Sequence, residues 1–409
     1  MRRAFEVFLG VLTAFGGFLE MGDLVANAES GARFGMGLAW VVAVGVVGIC
    51  VYAEMAGRVA TMSRRPVFDI VRERLGARWA LVNLGAAFFI NLLTLAAEIA
   101  GLALVIELVT GLNYLLWIPL TALAVWLVLW KVKFGAMEKA FGMSGLALVV
   151  AAVALWRLDP GFGDTLSAAT HLGPPQGESW IAYSFFGIAL FGAAMTPYHV
   201  FFFSSGAVED GWTERDMAVN RANVLIGFPL GGALSLAIMG TSAAVFEPQD
   251  VSVGHLSQIG LAVSLSLGQL GLAVLLFGMF AAIFSAALET SLSAGYTVAQ
   301  FFGWQWGKFV RPRDAARFHV VVLLALVAGT GLALSTLDPF RIAEFALVLS
   351  AAALPLTYFP ILVVANDPTY VRTRTNSKAL NAVAVVYLGL LVAVSAATIP
   401  VIVWSRAGA

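Results

Sequence analysis

Long apolar stretches alternate with short polar or charged ones along the whole chain. An apolar run of about 17–25 residues crosses roughly 30 Å of hydrocarbon at 1.5 Å per residue. On that criterion the pattern predicts eleven spans: 6–29, 36–58, 79–110, 115–131, 138–157, 180–206, 221–246, 265–301, 317–336, 340–365 and 380–405. The third and eighth runs are long, which predicts tilt or extension beyond the bilayer. A membrane barrel would show short alternating segments instead. The expected fold class is an all-α integral membrane protein, with residues 1–409 forming a single membrane domain. The stretch 158–179 is rich in Gly, Pro, Ser and Thr and predicts a surface loop.

Composition narrows this further. Hydrophobic residues make up 60 % of the chain and charged residues 12 %, half the roughly 25 % usual for a soluble domain. The net charge is zero, so there is no basic footprint for nucleic acid. The lipid bilayer is the expected surrounding, and no obligatory protein partner is indicated. The single cysteine, Cys50, lies in an apolar run and leaves no intrachain disulfide or cysteine metal cluster. Met1-Arg2-Arg3 resembles the start of a signal peptide. The apolar stretch behind it carries Glu20 and Asp23 and leads into many more spans, so it is read as a retained first helix. No phosphate-binding loop, nucleophile elbow or His-Glu-x-x-His helix occurs, and neither an enzyme nor a bound cofactor is expected.

With eleven spans, 20 of the 24 Lys and Arg residues fall on the side of the N-terminus. The other side holds Arg33, Arg157, Arg341 and Arg406. The bias predicts a multi-pass protein of the cell membrane, with a cytoplasmic N-terminus and an external C-terminus.

Charges within spans are the informative residues, because each is costly unless paired or facing water. The first span contains Glu20-Met21-Gly22-Asp23. On an intact helix the two carboxylates would share a face. The glycine invites unwinding, which would free carbonyl oxygens near residues 20–23. Carboxylates plus carbonyls suit a hard cation. Alternatively the pair lies near the interface and reaches water. The sixth span contains Ala193-Ala194-Met195-Thr196-Pro197-Tyr198-His199. Pro197 predicts a break near 193–197 that exposes carbonyls such as that of Ala193, beside the Thr196 hydroxyl. Either an ordinary kink or a binding site fits that span alone. Interrupted helices at corresponding places in two five-helix halves point to a midplane site.

Glu98 is a candidate pathway residue. Glu107 and Glu344 read as carboxyls satisfied near helix ends or within the bundle. Glu289 is followed by Thr290 and Ser291, which could satisfy it. Tyr198 adjoins the second break, and His199 reads as an interfacial imidazole, a proton carrier or a packed core residue.

At these positions the sequence resembles the Nramp family of divalent-metal transporters. Glu20 to Asn27, continuing to Gly31-Ala32-Arg33-Phe34-Gly35, resembles the family pattern Asp-Pro-Gly-Asn-x-Ala-Thr-Asp with its following Gly-Ala-x-Phe-Gly. Glu54 to Leu75, including Arg72-Glu73-Arg74, resembles the segment after the second helix. Ala97-Glu98-Ile99-Ala100-Gly101 resembles the third-helix motif, and Thr196-Pro197-Tyr198 stands where the family has Met-Pro-His. Leu354-Pro355 with Pro360-Ile361-Leu362 resembles its tenth helix. The resemblance implies a LeuT-type fold of two inverted five-helix repeats, 1–160 and 175–370, plus an extra helix at 380–405. It implies alternating access, with Glu20, Asp23, Ala193 and Thr196 as metal ligands.

The departures shift the expectation. Thr196 replaces a methionine whose thioether favours softer metals, and Asp23 replaces an asparagine. Leu95, Tyr198 and Phe203 replace residues that the family links to proton passage. The pattern resembles the Nramp-related magnesium transporters, which implies carriage of Mg²⁺, and also Mn²⁺, without proton coupling. The alternatives are a proton-coupled Mn²⁺/Fe²⁺ transporter and a LeuT-fold carrier of a small organic solute. The twin carboxylates count against an anionic group at this spot.

Overall fold

The computed structural model describes residues 18–132, 143–159, 177–335 and 337–405, together with 140, 161, 163, 167, 169, 170 and 172–175. Among these residues the secondary structure is helical throughout, with no strand. The principal helices are α1 (Met21–Phe34), α2 (Ala39–Ser63), α3 (Val67–Leu75), α4 (Ala77–Thr110), α5 (Tyr114–Lys131) and α6 (Val149–Leu158). They continue with α7 (Trp180–Ala194), α8 (Pro197–Glu209), α9 (Phe228–Phe246), α10 (Leu256–Phe302), α11 (Ala316–Ala333), α12 (Pro339–Ala365) and α13 (Lys378–Trp404).

Nine helical segments among the described residues are long and apolar enough to span a bilayer. They coincide with nine of the eleven expected spans. The other two expected spans, 6–29 and 138–157, fall partly outside the described residues. Their described parts are α1 and the apolar helix Met143–Leu158.

Two expected elements differ in detail. The run 265–301 is longer, beginning at Leu256. Gly268 adopts φ 66° within it, a left-handed conformation that glycine tolerates, so two helices meet there at an angle. The run 221–246 extends over Glu214–Gln249 and includes a π-turn at Asn223–Gly227.

Burial separates an inner from an outer layer. In the pair α7–α8, 94 % of the most apolar window is buried within the protein, whereas in α13 the figure is 17 %. Both are apolar, so the difference marks which helices face protein and which face lipid. α1 lies on the seam between two hydrophobic clusters. Leu24 and Val25 pack in the cluster built largely from α4, α9, α10 and α11. Phe18, Ala26 and Phe34 pack in the one built from α2, α7, α8 and α12. Small residues permit this close approach: a side chain at Gly31 would come within 2.1 Å of the Met239 carbonyl oxygen on α9.

A broken-helix carboxylate site

The two expected interruptions exist, and they meet. Leu19 and Glu20 are non-helical, and Glu20 is extended (φ −110°, ψ 170°) immediately before α1. Met195 and Thr196 are non-helical between α7 and α8. The Thr196 hydroxyl lies 3.3 Å from Glu20 Oε1, which joins the breaks across the bundle.

The first break, at Leu19 and Glu20, falls at the N-terminal edge of the expected stretch 20–23. Gly22 lies inside α1, and a side chain there would come within 2.9 Å of Leu347 on α12. Its small size serves packing, not unwinding. Gly192 on α7 plays the same part, where a side chain would meet the Leu347 carbonyl oxygen at 2.4 Å. One residue of α12 is thus wedged against both half-helices.

Backbone chemistry explains why the breaks persist. A helix start leaves N–H groups without partners and carries positive partial charge. Glu98 on α4 answers this at α1: its Oε1 accepts a hydrogen bond from the Met21 N–H at 3.1 Å. At α8, Pro197 occupies the first helical position, where a missing N–H costs nothing. At the end of α7, the Thr196 hydroxyl lies 3.0 Å from both the Gly192 and Ala193 carbonyl oxygens. A hydroxyl has one hydrogen to donate, so three acceptors, counting Glu20, share it. The Tyr358 hydroxyl of α12 donates to the Met195 carbonyl at 2.8 Å.

Asp23 lies in the first turn of α1 and is held by two donors. Its Oδ2 accepts from the Ser235 hydroxyl of α9 at 2.6 Å, and its Oδ1 from Asn27 Nδ2 at 3.0 Å. The Tyr198 hydroxyl hydrogen-bonds Glu20. The His199 ring is buried, 6.1 Å from that of Phe18 and 4.3 Å from that of Tyr198. Glu98 lies within electrostatic reach of Glu20 and of Glu289 on α10.

Glu20, Asp23, Glu98, Thr196 and Tyr198 are each at most 2 % exposed. One oxygen of Glu20 and one of Glu98, Oε2 in each, have no hydrogen-bond partner. Among the described residues no Lys or Arg forms an ion pair with Glu20, Asp23 or Glu98. Buried carboxylates without basic partners cost several kcal/mol each. A positive charge from outside the chain relieves that cost. No group of three or more His, Cys, Asp or Glu side chains among the described residues is arranged as a ready-made metal cage. The acceptor groups here are the carboxylates of Glu20, Asp23 and Glu98, the hydroxyls of Thr196 and Tyr198, and helix-end carbonyls, all oxygen.

Two other expectations are refined. Glu289 accepts from Ser285, one turn earlier, at 3.2 Å. Ser291 instead bonds the Ala287 carbonyl, because helix neighbours meet at spacings of three and four, not one or two. Glu344 is paired with Arg341 at 3.6 Å and contacts Glu29 of α1. Of the residues the sequence reading omitted, Asn27 was signalled by its i+4 spacing from Asp23. Ser235, Tyr358 and Leu347 carried no local signal.

Comparison with known proteins places the fold and the family. A solved mutant of the Eremococcus coleocola manganese transporter superposes with a TM-score of 0.70 at 14 % identity, covering 98 % of this chain and 93 % of that one. Mhp1, a nucleobase-cation-symport-1 family transporter in a closed conformation, superposes at 0.61 with 16 % identity, covering 98 % and 90 %. The architecture is therefore LeuT-type. In sequence, a protein of Erwinia tasmaniensis named divalent metal cation transporter MntH is 25 % identical over 376 residues, 88 % of this chain and 86 % of that protein. Residues 10–400 match the model of the natural resistance-associated macrophage protein-like family. With nearly its whole length matched and its apolar helices wrapped around two meeting breaks, the chain is a multi-pass membrane protein belonging to the Nramp family.

Proposed function

We propose that this protein carries divalent metal cations, Mg²⁺ and also Mn²⁺, across the cell membrane by alternating access. The observation that carries the reading is the meeting of the two breaks at Glu20 and Thr196, in a buried setting without a basic partner. Glu20, Asp23, the Ala193 carbonyl and the Thr196 hydroxyl are the proposed ligands. Each Asp23 oxygen accepts one hydrogen bond and keeps a lone pair for a metal. Glu98, Tyr198 and His199 are proposed to line the pathway.

The all-oxygen set supports the magnesium preference. Oxygen ligands suit hard cations and give softer ones no thioether to prefer. Mg²⁺ sheds water reluctantly, so the proposed ion is bound partly hydrated. We further propose that 1–160 and 175–370 are inverted repeats, with 380–405 outside them. The N-terminus is proposed to be cytoplasmic, following the Lys and Arg bias.

A second reading, a proton-coupled Mn²⁺/Fe²⁺ transporter, draws support from the names of the relatives, a divalent metal cation transporter and a manganese transporter. Uptake into proteoliposomes, with metal and internal pH followed together, separates the two. The proposal expects Mg²⁺ and Mn²⁺ entry without stoichiometric acidification. Mn²⁺ entry that Mg²⁺ neither shares nor inhibits, with protons moving in fixed ratio, favours the second reading.

A further inference from the structure

A cavity of about 900 Å³ opens on the flank of the bundle between α2, α9 and the start of α13, and none of Glu20, Asp23, Glu98, Thr196 or Tyr198 lines it. Its two ends differ in chemistry. Over most of its length the walls are apolar, with Val46 and Val47 from α2 facing Leu225 and Leu236. Val47 is 51 % and Leu225 59 % exposed, and in a membrane protein such surface faces acyl chains. At the other end stand Arg58, Arg221 and Arg374, with Glu54 the one acidic residue among the lining side chains.

The arginines are unequally engaged. Arg58 is buried and structural: it pairs with Glu54 at 3.2 Å and bonds the Arg374 carbonyl and the Asn376 side chain. It thereby pins the loop that leads into α13. Arg221 reaches Glu54 only at 3.7 Å, and Arg374 meets Glu214 at 3.3 Å. Both guanidinium side chains are half-exposed or more, 59 % and 50 %. Pairs this exposed hold their partners weakly, so both arginines are available to an anion. The N-terminus of α13, capped by Ser377, lies at the same mouth and adds positive partial charge. A second, polar hollow is lined by Arg64, Arg215 and Arg372, with Glu214 the acidic residue among its lining side chains.

We infer that this cavity is a binding site for one anionic phospholipid, its phosphate held by Arg221 and Arg374 and an acyl chain lying along Val46, Val47, Leu225 and Leu236. The volume falls in the range of specific small-molecule sites. Basic pockets between membrane helices recognise phosphate headgroups by charge. The apolar walls distinguish a lipid from a free anion, which would use the mouth alone. The site shares no residue with the proposed metal ligands, so it stands or falls independently of transport.

Native mass spectrometry of the delipidated, detergent-purified protein tests this with dioleoyl-phosphatidylglycerol, dioleoyl-phosphatidylcholine and inorganic phosphate. The expected result is one tightly retained phosphatidylglycerol, preferred over phosphatidylcholine by about tenfold or more. R221Q/R374Q reduces that preference to within about twofold. A233W, at an exposed wall position that leaves every arginine in place, abolishes retention of phosphatidylglycerol while thermal unfolding in detergent stays unchanged. The inference is overturned if wild-type protein shows no preference or if the arginine variant keeps it. It is equally overturned if A233W binds as wild type, or if inorganic phosphate displaces phosphatidylglycerol at equal concentration.

Discussion

The two ends of α1 carry acidic side chains in different company. At its start, Glu20 and Asp23 are surrounded by hydroxyls, an amide and the Glu98 carboxyl. Two turns later, Glu29 and Glu344 lie beside Arg33 and Arg341, and Arg33 makes two 3.0 Å bonds to Glu178. Arg33 also lies over the Phe186 ring of α7 at 5.1 Å. The carboxylates at the far end have two arginines of the protein within ion-pair reach and bond to one another, and these contacts tie α1 to α12 and to the segment before α7. Those at the near end are held in position by neutral donors and left short of positive charge. Fixed pairing makes a strut; unpaired burial calls for a mobile cation. A short helix with one end of each kind joins the proposed metal site to a structural clasp.

The sharpest way to break this contrast is to remove charge at the near end. Glu20→Gln keeps an acceptor for Thr196, and Asp23→Asn keeps an acceptor for Asn27 while its amide can donate to the rotatable Ser235 hydroxyl, so the fold should persist. Losing a partner one step removed from a metal costs about 10- to 100-fold, so losing a direct ligand should reduce uptake of both Mg²⁺ and Mn²⁺ by about 100-fold or more. Near-wild-type uptake in either variant would return these carboxylates to a structural role.

The next effect concerns how Asp23 is aimed. Ser235→Ala removes its 2.6 Å bond to Asp23 while leaving every proposed ligand side chain in place. The expected loss is about tenfold in apparent metal affinity, with maximal rate little changed. A concentration series of Mn²⁺ uptake checks it.

Thr196→Met tests selectivity. The thioether would sit beside Glu20 in place of a hydroxyl, and competition between Mg²⁺ and Mn²⁺ or Cd²⁺ should move toward the softer ions by several-fold, on the order of tenfold. An unchanged ratio would mean that residue 196 does not meet the ion.

Arg33→Gln probes the far end, where the smallest transport effect is expected. It breaks the two bonds to Glu178, both partners being partly exposed (19 % and 24 %). The cost to stability should be about 1 kcal/mol, reduced by solvent screening, seen as a lower midpoint of thermal unfolding. Metal affinity should stay within about twofold. A loss as large as that of Glu20→Gln would erase the distinction between the two ends.

The apolar runs, each long enough to cross a bilayer, determined most of the spans, because hydrophobic length is a local property and the bilayer sets its scale. Pro197 located one break for an equally local reason, the missing N–H and the ring clash. The acidic pair of the first span was visible as a violation of that apolar pattern. Tertiary structure alone decided that the breaks touch, at Glu20 and Thr196, 176 residues apart. It also decided that Glu98 caps α1 from 77 residues away, and that Ser235 aims Asp23 across 212. The role of Gly22 was likewise hidden: a glycine that permits unwinding and a glycine that admits Leu347 are the same letter. Covalent geometry and helix periodicity act within a few residues and can be read along the chain. Partners for buried polar groups are chosen by packing, which brings together residues that no local pattern connects.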